Sequence, residues 1–166
     1  MVYKRSIAAD LRFSTTLKAA GEDLLFLCIL VAAANNAAFD PDSCVECGAG
    51  LNMYFANFSW DSPKCLAIRV DQIIAHRLVD RMAKLSPENR KRNDAEVKYY
   101  RRELGFHTAR SLLKYPARVP KPIMRLIKED GPAAMMLPLD ILHGAFSVVL
   151  RNYKNKKHEP QNALKA

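Results

Sequence analysis

Two sets of side chains in this 166-residue sequence have types and spacings that could do chemistry. The first is Cys44-Val45-Glu46-Cys47-Gly48, which has the form of a zinc knuckle. Two thiolates three apart, followed by glycine, let one tight turn present both sulfurs to a single ion. Cys65 supplies a third thiolate further along. A closed tetrahedral site needs a fourth ligand, and the second half of the motif is incomplete. His76 follows Cys65 by eleven positions, about 16 Å along one continuous helix, too far to share its ion. The fourth ligand would then be His107, His143, Asp42 or Asp61, or come from a partner. Because the set is incomplete, two reduced thiols in a loop is the plainer reading, with structural zinc the sharper one. A redox-active pair is disfavoured, because Gly-Ala-Gly follows Cys47 where a helix start would be needed to lower a thiol pKa. Cys28, inside an apolar run, reads as a core residue.

The second set is basic. The chain carries 26 Lys and Arg against 17 Asp and Glu, a net charge of +9. Residues 77–128 alone hold 15 basic and 5 acidic side chains, and the flanking segments are near neutral. Charge gathered in one stretch points to a polyanion-facing surface. Its members are Arg77, Arg81, Arg90, Lys91, Arg92, Lys98, Arg101, Arg102, Arg110, Lys114 and Arg118, with His107 beside them. Guanidinium forks suit phosphate oxygens, and Tyr99 and Tyr100 lie among the arginines where they could stack on bases. A solvated helix face looks similar. Glu88 precedes Arg92, and Asp94 precedes Lys98, by the four residues that favour helix ion pairs. Five acids nevertheless leave most of the fifteen bases unmatched within the stretch.

Residues 96–104, then Gly105-Phe106, then 107–115 have the outline of a helix-turn-helix. His107, Thr108, Arg110, Ser111 and Lys114 would be its contacts to DNA. The match is loose, since Ser111 stands where a buried aliphatic belongs.

No nucleophile motif, phosphate-binding glycine loop or dinucleotide fingerprint is present. Asp71, Asp80, Asp94 and Asp140 form no recognisable carboxylate pair motif, so we expect a non-enzyme. His76 reads as exposed beside Gln72 and Asp80, His143 as a hydrogen-bonded core histidine, and His158 as part of a polar tail.

The elements that must position these residues are helical almost throughout. Ser14 or Thr15 would cap a buried helix running to about Ala38. An amphipathic helix comes next at about 65–85. Ser86-Pro87-Glu88 then starts a basic helix with a hydroxyl at N-cap and proline at N1, ending at Gly105. Pro116, Pro120 and Pro122 stiffen a connector before a helix to about Lys128, and Gly131-Pro132 and Pro138 divide the next part of the chain. Leu139, Leu142, Phe146, Val149, Leu150 and Tyr153 line one face of the last helix. The expected fold is all-α, a compact orthogonal bundle with one irregular loop at about 40–64. Residues 1–153 would form one domain and 154–166 a polar, frayed tail.

At 49% apolar and 26% charged, with six Gly and nine Pro, the composition excludes disordered and collagen-like chains. The uncharged run from Leu24 to Phe39 is too short to span a bilayer, and Glu22-Asp23 with a long leading segment argue against a signal peptide. The expected setting is cytoplasmic, with reduced thiols and no membrane partner. The preferred function is non-catalytic binding of DNA or RNA through residues 77–128. The alternative is a small helical adaptor, or a subunit of a larger ribonucleoprotein, docking protein through the aromatic loop 51–60.

Overall fold

The structure is a computed structural model that describes residues 5–34 and 63–158, with side chains placed over 6–34 and 64–146. Cys44, Cys47, the aromatic loop 51–60 and most of the irregular segment 40–64 lie outside the described residues. Among the described residues there are five α-helices and no strand, as expected of an all-α protein. They are α1 (Glu22–Ala33), α2 (Pro63–Met82), α3 (Pro87–Lys114), α4 (Pro120–Glu129) and α5 (Gly131–His158). None is long and apolar enough to cross a membrane.

α2 is the central element. Leu66, Val70, Ile73 and Ile74 recur at helical spacing and are fully or almost fully buried. Around them pack Leu25 of α1, Leu104 of α3, Leu126 of α4 and Leu137 of α5. Full burial of one such side chain is worth roughly 1.5–3 kcal/mol, which makes this cluster the main source of stability.

α1 starts later than expected, after Gly21 at φ +83°, a left-handed turn that favours glycine. The reason lies on α2. The carboxylate of Asp71, fully buried, accepts backbone N–H bonds from Lys18 (2.9 Å), Ala19 (2.5 Å) and Ala20 (3.3 Å). Those donors are spent on a side chain rather than on a helix started at Ser14 or Thr15. Arg125 of α4 reaches the other oxygen of Asp71 and donates to the Thr16 carbonyl at 2.6 Å. Only one side of α1 is buried, through Leu25 and Leu30, while Leu24, Leu27 and Val31 are exposed. The run is apolar on every side, so its pattern could not say which face packs.

The start of α3 is as its sequence implies. Ser86 Oγ accepts from the Asn89 N–H at 3.2 Å, Pro87 comes next and Glu88 occupies the first turn. Its end is not. α3 runs without a turn through Gly105 to Lys114, so residues 96–114 lie on one helix and not on a helix-turn-helix. Gly105 is a notch where α5 comes close. A Cβ there would collide with the Asp140 carbonyl, and one at Gly144 would lie 2.6 Å from the Phe106 Cα. Two glycines, one per helix, let the backbones of α3 and α5 touch.

Pro138 does not divide the last segment either. It lies inside α5, which begins at Gly131 and continues past Lys154 to His158.

Candidate functional site

Where α3 crosses α5, with Arg77 of α2 at one end, a groove of about 600 Å³ opens. Val97, Met136 and Leu139 form its apolar floor; Arg77, Lys98, Arg101, Arg102 and His143 bring cationic and imidazole groups, and Asp94 and Asp140 bring carboxylates. Lys98, Arg101 and Arg102 share a side of α3, being three and four residues apart. Several of the sequence-derived basic residues therefore meet at one described cavity.

Half of the candidate arginines, Arg77, Arg90, Arg92 and Arg101, are matched by acids. Arg101 donates from Nε and a terminal nitrogen to one Asp140 oxygen, at 3.0 and 2.9 Å, and both side chains are more than four-fifths buried. Arg77 Nε donates to Asp130 at 2.9 Å and faces Asp94 at 3.5 Å. Asp130 also caps α5 by accepting from the Ala133 N–H at 3.1 Å, so one carboxylate anchors Arg77 and starts a helix. Arg90 pairs with Asp80 at 2.9 Å, and Arg92 with Glu88 at 2.6 Å, the latter pair exposed to solvent. Arg118 lies over the Tyr115 ring and Arg110 over the Phe106 ring, 5.1 and 5.6 Å from the centroids.

Arg81, Lys91, Lys98 and Arg102 are exposed and make no ion pair among the described residues. Lys91, Lys98 and Arg102 recur at seven and four residues, a single stripe of α3. Lys114 is exposed at the end of the same helix.

The histidines depart from expectation. His107 is only 2% exposed, with its Nε2 3.7 Å from Glu103, so it is not placed to touch phosphate. Thr108 and Ser111 are buried beside it on α3. His76 is also buried. Its Nδ1 is 2.6 Å from the Asn93 amide oxygen, and Asn93 Nδ2 donates back to the His76 carbonyl at 2.9 Å. Because α3 lays Asn93 and Tyr100 over it, a polar-looking position on α2 becomes interior. His143 is exposed and lines the groove instead of the core.

Of the proposed metal ligands Cys44, Cys47 and Cys65, only Cys65 is described. It is buried in the first turn of α2, and the other two lie outside the described residues. Among the described residues no three His, Cys, Asp or Glu side chains group as a metal site would require. Cys28 is partly buried against the core, which pushes its thiol pKa up. Burial, reinforced by Glu96, likewise raises the Tyr100 phenol, while Arg69 beside the ring acts in the opposite direction.

α5 holds the feature that sequence reasoning placed on the wrong side. Ala133, Leu137, Ile141 and Gly144 form its inner face. The larger Met135, Leu139, Leu142 and Phe146 are 81, 60, 67 and 63% exposed. Their spacing of four, three and four residues makes a continuous outer stripe about 16 Å long. Large apolar residues at core spacing read as a packing face, but the glycine contact selects the small-residue face. The signal for this in the sequence is Gly144, in step with Ala133, Leu137 and Ile141.

The described residues thus define an all-α fold with a cationic groove beside an apolar helix face that is exposed among them. Comparison of the chain with protein-family models, curated proteins and solved structures finds no significant match.

Proposed function

We propose that this protein is a non-catalytic helical adaptor or assembly subunit that docks another protein along the outer face of α5. The observation that carries this reading is that α5 is apolar on two sides: Ala133, Leu137 and Ile141 pack against the core, while Met135, Leu139, Leu142 and Phe146 stay exposed among the described residues. A contiguous exposed stripe of Met, Leu and Phe is the usual mark of a contact surface. The docking face assigned here is α5, a different element from the aromatic loop 51–60.

A second reading, phosphate contact, rests on Lys91, Lys98 and Arg102, which keep their charges available along α3. The ion pairs at Arg77, Arg90, Arg92 and Arg101 weigh against a larger phosphate surface.

A photo-crosslinking side chain placed at Leu142, with Lys121 as control, tests the choice in living cells. The expected result is a discrete protein adduct at 142 that is absent at 121 and lost in Phe146→Asp. An adduct at 142 that nuclease removes would overturn docking of protein in favour of nucleic acid.

A further inference from the structure

We infer that the groove between α3 and α5 takes an acidic amphipathic helix, with its apolar side on Leu139 and Met136 and its carboxylates toward Lys98 and Arg102. This rests on the docking function above and names the chemistry of the partner. The groove and the outer stripe of α5 share Leu139, so they form one surface, apolar along α5 and charged along α3. The groove runs between two helices whose backbones are in contact, the setting in which a third helix can lie.

The charge balance sets the sign of the partner. Arg101 is satisfied by Asp140, and Arg77 by Asp130 and Asp94. Lys98 and Arg102 are left without an acid among the described residues, so the groove is net positive after every internal pair is formed. A second copy of the chain, itself at +9, brings the wrong overall charge to this surface. A nucleic-acid duplex would meet the two cations but would leave Met135, Leu139, Leu142 and Phe146 facing water or phosphate. An acidic helix with one apolar side satisfies both halves.

The test uses the full chain and two peptides of about five helical turns, each with leucines on one face. One carries glutamates on its flanks, the other lysines. Binding is read by amide chemical shifts and by fluorescence anisotropy at about 0.15 M salt. The glutamate peptide is expected to bind, shifting amides over 91–102 and 135–146, and the lysine peptide to bind about tenfold more weakly. Lys98→Glu with Arg102→Glu, both exposed changes, should invert that order while the melting temperature holds. Leu139→Asp should remove binding of both.

Equal affinity for the two peptides, unchanged by the charge reversal, overturns the acidic partner and leaves docking on α5 intact. Binding of neither peptide overturns it as well, and the Leu142 crosslink then decides the docking function separately. A duplex oligonucleotide that shifts the same amides when the peptides do not would assign the cations to phosphate and also overturn it.

Discussion

Asp71 illustrates how one buried carboxylate can organise three segments that no local pattern connects. It gathers the N–H groups of residues 18–20 and pairs with Arg125, so the segment before α1, α2 itself and α4 all meet at its two oxygens. Removing one partner of a buried ion pair leaves the other charge uncompensated, at a cost of about 3–5 kcal/mol. Asp71→Asn is therefore expected to lose about 3 kcal/mol in urea unfolding; a loss below about 1 kcal/mol would contradict this account of the site. Cys28 allows a gentler check. Burial raises its thiol pKa, so less thiolate is present at a given pH. Near pH 8.5 its alkylation, monitored by peptide mass spectrometry, should be slower than that of a cysteine in a short peptide, and the gap should narrow as pH rises. Equal rates at all pH values would show that the thiol is not buried as described.

At the scale of helices, the contact between α3 and α5 decides the meaning of both glycines. Glycine to alanine gains up to about 1 kcal/mol of helix propensity. Here the added methyl meets backbone, the Asp140 carbonyl at 105 and the Phe106 Cα at 144, and backbone cannot move aside as a flexible side chain can. Overpacking of this kind costs about 1–3 kcal/mol or more, so Gly105→Ala and Gly144→Ala should each destabilise by more than propensity restores. A rise in melting temperature for either would show that the backbones of α3 and α5 are not in contact at that glycine. The two faces of α5 make a paired prediction. Leu137→Ala, in the core, should cost about 2–4 kcal/mol, whereas Leu142→Glu on the outer stripe should stay within about 0.5 kcal/mol of the native protein. Similar losses for both would mean that the outer stripe is packed.

Across the whole molecule, the features legible in the sequence are those set by local rules. The all-α class, the apolar spacing of α2 and the Ser86-Pro87 start of α3 each depend on residues within a turn or two. The illegible features depend on partners far along the chain. Arg101 finds Asp140 39 residues away, Arg77 finds Asp130 53 residues away, and both acids lie outside the basic stretch 77–128. His76 is interior because Asn93, 17 residues on, folds over it. Charge arithmetic by segment overstates the free cations whenever the acids that neutralise them come from another element.

The central claim, that the exposed face of α5 and the cations beside it bind protein in preference to phosphate, is tested most directly by comparing two fluorescent probes on the intact chain. The glutamate-flanked amphipathic peptide and a short DNA duplex are titrated over a range of salt. The account predicts that the peptide binds at about 0.15 M salt and is lost in Phe146→Asp, while the duplex binds more weakly, falls away steeply with salt and ignores that substitution. Tight duplex binding that survives Phe146→Asp and is abolished by Lys98→Glu with Arg102→Glu, with no binding of the peptide, would contradict it.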